Sequence, residues 1–288
     1  MRNAIRLAAT LGCAFAMAVP ALAVTEPESA PPIVINGGEI ELPTSAPAPE
    51  FLKGVFDTIY SGWLFRDADT QAMQTDDFSN PGMIFVDQGV DQWSKVDGTE
   101  GKSCADCHKD ISSMKGVRAS MPKVNPDAKE LWSVENYINA CRTERMGAEP
   151  WEWSSAPMEA MTLAISLQSR GEPVNVKIDG DAAPYWEQGK EIYYTRYGQL
   201  QLSCANCHED HYGDMIRADH LSQGQINGFP VYRNNGAGVV SIHERFSGCI
   251  RDTRAEPFKQ GSPEFRALEL YVASRGAGLP VEGASVRH

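Results

Sequence analysis

Two stretches of the chain carry the spacing Cys-x-x-Cys-His. "KSCADCHKDI" holds Cys104, Cys107 and His108, and "LSCANCHEDH" holds Cys204, Cys207 and His208. Two thiols three positions apart can form thioethers to the two vinyl groups of one haem, and the adjacent histidine then serves as proximal iron ligand. Other chemistry fits less well. A zinc site needs two more clustered soft ligands per signature, which a lone cysteine does not supply. A thioredoxin-like pair needs no histidine and expects a βαβ pattern, which is missing. Two local disulfides leave the repeated histidine unexplained. The signatures therefore predict two covalently bound haem c groups, one on Cys104, Cys107 and His108, the other on Cys204, Cys207 and His208.

Each signature is followed by one further cysteine, Cys141 and Cys249, where a sixth iron ligand is needed. Methionine is the commoner donor in small cytochromes c. In the first half Met114 and Met121 lie close to the signature; Met146, Met158 and Met161 lie farther on, and the last two fit the core face of a helix. The second half offers only Met215, too near His208 to fold over a ring. His211, His220 and His243 have no counterparts in the first half. The matched cysteines suggest His/thiolate ligation, which favours ferric iron and a low potential. A disulfide between the halves, favoured by an oxidising compartment, and buried free thiols are the other readings. Cationic residues cluster near Cys249 in the sequence: Arg245 replaces Tyr137 of the first half, and Arg251, Arg254 and Arg275 follow. Cations favour a reactive thiolate and bind small oxyanions, so Arg245 and Arg275 are candidate substrate ligands. Pairing with Glu244, Asp252, Glu256 or haem propionates would explain the same arginines structurally.

The elements that must position these residues also recur. Gly89, Gly98, Ser103, Cys104, Ala105, Cys107 and His108 return at an offset of 100 as Gly189, Gly198, Ser203, Cys204, Ala205, Cys207 and His208. Trp93 returns as Tyr193. "CRTERMGAEPW" from Cys141 resembles "CIRDTRAEPF" from Cys249, and a Ser-Arg-Gly follows each. So many ordered matches indicate a duplicated domain. A helix over 183–196 precedes the second signature. A closing helix starts with Ser262 as N-cap and Pro263 at N1, presenting Phe265, Leu268, Tyr271 and Val272; in the first half Met158, Met161 and Ile165 do the same. Gly- and Pro-rich loops intervene and few strands are evident. The expected fold is mainly α, two tandem cytochrome c-like domains after an extended N-terminal arm.

Composition sets the remaining bounds. Residues 1–23 read as a cleaved secretory signal, with Arg2 and Arg6 before a short apolar run and Ala21-Leu22-Ala23 at its end. No stretch is long and apolar enough for a membrane span. An exported, periplasmic chain follows, and about 265 residues remain for two modest domains. The formal net charge of −12 becomes more negative once the signal leaves, which disfavours nucleic acid and anionic membrane. Residues 24–50, rich in Pro, Glu and Ser and without regular periodicity, read as an extended arm or linker rather than a packed unit of its own, with packing along a domain left open. The first domain is assigned to 51–175 and the second, with the reactive cysteine, to 176–288.

With paired haem signatures, a late cysteine in "ERFSGCIRD" and the closing "ALELYVASRGAGLPV", the chain resembles the SoxA family of dihaem cytochromes over nearly its whole mature length. The resemblance implies an L-cysteine S-thiosulfotransferase that pairs with a small monohaem cytochrome, SoxX. Thiosulfate is joined oxidatively to a cysteine of a sulfur carrier, SoxY, and two electrons pass to a soluble cytochrome c. It implies Cys249 as both haem ligand and catalytic sulfur, often a persulfide, with Arg245 binding substrate. His108 and Cys141 would ligate an accessory haem. The alternative is a plain dihaem electron-transfer protein with no chemistry at sulfur. A dihaem peroxidase, which needs an open distal position, fits the symmetric cysteines poorly.

Overall fold

The computed structural model describes residues 26–288. The expected signal over 1–23 and the start of the arm lie outside the described residues. Among the described residues no helix is long and apolar enough to cross a membrane.

The arm is not loose. It forms a hairpin, β1 (Ile33–Ile35) with β2 (Ile40–Leu42), and then β3 (Ser45–Pro47), which pairs antiparallel with β4 (Thr58–Tyr60). Ile33, Ile35 and Leu42 are fully buried and pack with Trp63. Composition left open whether the arm packs along a domain: alternation over three-residue strands is too short to register as a period, yet it buries one complete face.

Beyond the arm, the same order of elements runs twice. After a short helix α1 (Ala68–Met73), the first half has α2 (Met83–Ser94) and α3 (Cys104–His108). The hairpin β5 (Lys123–Asn125) and β6 (Glu130–Trp132) follows, then α4 (Val134–Ala140) and α5 (Ala156–Leu167). The second half has α6 (Ala183–Tyr194) and α7 (Cys204–His208), then a small hairpin β7 (Met215–Ile216) and β8 (Asp219–His220). The hairpin β9 (Val231–Arg233) and β10 (Gly238–Val240) follows, then α8 (Ile242–Asp252), α9 (Pro263–Arg275) and β11 (Ser285–Arg287). The predicted helices are present. Ser262 caps α9 by accepting from the Phe265 amide, and Met158, Met161 and Ile165 are buried on α5. The strands were missed because most span only three residues.

Glycine sets the helix crossings. In each half the helix before the signature packs against the closing helix, α2 on α5 and α6 on α9. A Cβ at Gly89 would lie 2.3 Å from the Ala160 carbonyl oxygen, and one at Gly189 would lie 2.0 Å from that of Ala267. Only the absence of a side chain lets these backbones touch. Trp93 and Tyr193, one turn later, are buried beside the crossings.

The halves exchange their hairpins. Leu131 of β6 belongs to the core built on α6 and α9, whereas Val239 of β10 belongs to the core built on α2 and α5. Tyr232 meets Phe85 at 5.9 Å between ring centroids. The Arg118 guanidinium reaches across to the carbonyls of Phe229 (2.9 Å) and Ile226 (3.4 Å). Neither half closes its core alone.

Candidate functional site

Both signatures are built on one device. A five-residue helix presents the two cysteines and the histidine, and a capping box starts it. Ser103 accepts from the Asp106 amide while the Asp106 carboxylate takes the Ser103 amide; Ser203 and Asn206 do the same. Helices this short are marginal in isolation, so the cap and the packing fix them. A Cβ at Gly98 or Gly198 would strike the Met146 or Thr253 carbonyl oxygen, at 2.1 and 2.0 Å. These contacts tie each signature's approach to the segment just after the late cysteine.

His208 is oriented as a proximal ligand must be. Its Nδ1 donates to the Ser222 carbonyl oxygen at 2.7 Å, which leaves Nε2 with a free lone pair. Burial pushes its pKa down to about 4, so the ring is neutral at ordinary pH. Gly224 lies against the ring: a Cβ there would stand 2.9 Å from His208 Cγ. Neither Ser222 nor Gly224 was singled out from sequence, and the signal available was only a glycine in a loop. His108 is more exposed and lies beside Trp93, 5.7 Å between centroids.

Cys141 and Cys249 occupy matching places, each eight residues after the serine that starts the helix following a hairpin. Cys249 lies inside the regular helix α8; Cys141 ends α4 and opens a π-helical turn, Cys141–Met146. The six cysteines among the described residues are free thiols, so Cys141 and Cys249 form no disulfide in this structure. Cys141 lies within electrostatic reach of Cys104 and Cys107, and Cys249 of Cys204 and Cys207. Each lone sulfur therefore belongs to the signature of its own half.

Other candidate donors are engaged in the core or lie exposed on the surface. His243 is fully buried, accepts from the Gly261 amide through Nδ1 (3.0 Å) and faces Glu269 through Nε2 (3.2 Å). His211 pairs with Asp214, and Met215 and His220 are exposed on the β7–β8 hairpin. Met158 and Met161 are core.

The arginines divide sharply. Arg275 is fully buried, with Nη1 2.6 Å from Glu209 and its guanidinium over the Tyr193 ring at 4.4 Å. Burial opposes its charge, but Tyr193 and Glu209 outweigh burial and raise its pKa. This corrects its assignment as a substrate ligand, because a sealed, ion-paired guanidinium has no path to a diffusing anion. Its Nε and Nη2 and the Tyr193 hydroxyl lack partners and are sealed from solvent. Such orphaned donors near Cys204 and His208 suit the propionates of a haem, so the residues present fit the group. Arg251 and Arg254 are exposed. Arg245 is half-buried, one helical turn before Cys249, and makes no ion pair or side-chain hydrogen bond among the described residues. The Cys249 sulfur is the largest influence on it and raises its pKa against the effect of burial. Gly248, beside the cysteine, faces open space.

Comparison with known proteins accords with this arrangement. The family model described as "SoxA/TsdA, cytochrome c domain" matches residues 88–174 and 188–281, one haem signature in each segment. The L-cysteine S-thiosulfotransferase subunit SoxA of Paracoccus pantotrophus is 59% identical over 98% of this chain and 97% of its own length. The same subunit of Rhodovulum sulfidophilum is 58% identical over 89% of this chain and 90% of its own. The crystal structure of SoxXA from P. pantotrophus superposes with a TM-score of 0.87 at 60% identity, covering 91% of this chain and 99% of that one.

Proposed function

This chain belongs to the SoxA family of SoxA/TsdA cytochromes c, and from that premise we propose that it is the catalytic subunit of an L-cysteine S-thiosulfotransferase. It joins thiosulfate to a cysteine of a carrier protein of the SoxY kind. One sulfur–sulfur bond forms, and the carrier thiol gives up its proton as two electrons leave toward a soluble cytochrome c. The observation that carries this reading is Cys249 on α8, sharing a site with Cys204 and Cys207 and standing one turn from the unpaired Arg245.

The two matched halves support a duplicated domain with two haem c groups, held by Cys104, Cys107 and His108, and by Cys204, Cys207 and His208. Haem c, when attached, supplies single-electron acceptance beside the reacting sulfur. The protein's own residues do the rest. Ser222 holds the His208 proton on Nδ1, and Gly224 fixes the ring plane. Cys249 would offer a sulfur donor and the reacting atom, Arg245 would attract and orient the dianion, and Cys141 would supply the sulfur donor to the first haem. The SoxXA neighbour supports a partner of the SoxX kind. The N-terminal signal pattern supports a periplasmic location. A plain electron-transfer role leaves Arg245, uncompensated beside a cysteine, without a purpose.

The test combines mass and activity. Intact mass spectrometry of the purified protein should give two haems, and extra mass of one sulfur on Cys249 would accord with sulfur chemistry. With partner and carrier, the parent should conjugate thiosulfate. Cys249→Ala should abolish conjugation with both haems still attached, while Cys141→Ala alters the first haem's spectrum and keeps much activity. Full turnover by Cys249→Ala would overturn the assignment.

A further inference from the structure

Five arginines lie within reach of the second signature, of Cys249 or of one another, and three are neutralised by acids. Arg66 pairs with Asp219 and donates to the His220 carbonyl. Arg275 pairs with Glu209, and Arg287 pairs with Glu282 at 2.6 Å. Arg245 and Arg233 have no such partner among the described residues, although both are half-buried. Neither guanidinium is sealed from solvent, unlike that of Arg275.

Arg233 ends strand β9, where it faces Gly238 on β10 and Arg287 on β11. The hairpin leads directly into the Ser241 cap of α8, so it is anchored to the helix that carries Cys249. The first half has the same two positions in the same order on its hairpin and following helix. At an offset of 108, Asn125 corresponds to Arg233, Tyr137 to Arg245 and Cys141 to Cys249. There the Asn125 side chain meets the Tyr137 hydroxyl. In the second half both positions are arginine. Burial and then Arg245 act against the Arg233 charge, while Asp219 and Cys249 favour it. Two like charges held together, partly desolvated and without a committed acid, are costly unless an anion bridges them. Asp219 is already held by Arg66.

Resting on the thiosulfotransferase reading, we propose that Arg233 is a second anion-binding residue. With Arg245 it forms a two-guanidinium clamp on the sulfonate end of thiosulfate, beside Cys249. Two planar forks can share three sulfonate oxygens and leave the outer sulfur directed at Cys249.

The haem-loaded parent, Arg233→Gln, Arg233→Lys and the control Arg251→Gln would be compared. Calorimetry would measure thiosulfate binding, and steady-state assays would vary thiosulfate and carrier separately. Arg233→Gln should weaken thiosulfate binding and raise its KM by about 10- to 100-fold, the loss of a charge-assisted hydrogen bond. Carrier KM and the haem absorption spectrum should stay unchanged, Arg233→Lys should recover part of the loss, and Arg251→Gln should match the parent. Unchanged thiosulfate binding in Arg233→Gln overturns the clamp. A rise in carrier KM alone assigns Arg233 to protein docking, and a shifted spectrum of the second haem assigns it to a propionate; both also overturn it. Binding lost in Arg233→Gln sustains the clamp even where the parent shows no turnover, which would count against the transferase reading alone. A parent that neither binds nor turns over thiosulfate overturns both.

Discussion

Arg245 and Arg275 show how differently one residue type serves at one site. Arg275 is enclosed by aromatic rings and paired with Glu209, whereas Arg245 has no acidic partner among the described residues. Thiosulfate carries two negative charges, and a planar fork can hold two sulfonate oxygens where an ammonium cannot. Arg245→Ala should lower kcat/KM for thiosulfate by about 10- to 150-fold. Arg245→Lys should fall between parent and alanine, because charge remains while orientation is lost. The second haem's spectrum should change little in both, since the arginine is not a ligand. Parent-like kinetics in Arg245→Ala would place the anion site elsewhere.

At the level of elements, each cytochrome-like unit depends on a crossing of two helices at glycine. Gly189 meets the backbone of Ala267, which cannot swing aside as a flexible side chain could. Gly189→Ala should therefore cost about 1–3 kcal/mol or more through overpacking. For a protein of this size that corresponds to a Tm lower by about 2–12 °C, measured by thermal unfolding of the haem-loaded protein. The hairpin before each ligand helix is the second shared element. In the first half Asn125 fixes its turn by accepting from the Asp127 and Ala128 amides at 2.9 Å. In the second, "NNGAG" makes the turn without that side chain, which frees position 233 for an arginine. An unchanged Tm in Gly189→Ala would mean that the two helices separate easily.

Across the whole molecule, the interface between the halves carries buried charge. Glu135 on α4, Glu269 on α9, His243 on α8 and Arg118 meet there, and Ser133 donates to Glu269. At an offset of 108, Glu135 corresponds to His243, so the helices leading to Cys141 and Cys249 face one another through this cluster. Burial first, then repulsion from Glu269, pushes Glu135 up to about 8. Glu269 moves the other way: burial opposes its charge, but His243 and Arg118 outweigh it and lower its pKa. The native state therefore keeps a proton on Glu135 that the unfolded chain releases near the ordinary carboxylate range. Stability from this group is fully present at low pH and declines as pH rises from about 4.5 to about 8. Glu135→Gln, which mimics the protonated form, should flatten that decline and raise Tm at pH 8 relative to the parent. The buried Glu282 has the opposite sign: despite burial, Arg287, Ser61 and Gln74 hold its pKa low, so its contribution is lost on acidification. Tm measured from pH 4 to pH 9 separates the two, and a parallel fall in parent and Glu135→Gln would exclude Glu135 as the source.

The two Cys-x-x-Cys-His turns, the matched late cysteines, the repeated order of elements and the closing helices were legible in the residues alone, because they depend on local chemistry and short-range periodicity. Cys-x-x-Cys-His needs only one helical turn, and Ser262-Pro263 marks a helix start by its own side chains. The burial of the arm, the exchange of hairpins and the fate of each arginine were decided by tertiary contacts. Three-residue strands carry too little pattern to announce themselves. The change of offset from 100 at the signatures to 108 at the hairpins was the available sign, and it would have aligned Arg233 with Asn125. Arg245 lies close before Cys249 and Arg275 well after it, and a reading of charge along the chain makes both candidates, yet one is sealed against Glu209 and the other is not. A charge count along a sequence cannot show which charge is spent, because the partner that neutralises it arrives through space: Glu209 from the signature's end, Asp219 from a hairpin, Glu282 from the C-terminal tail.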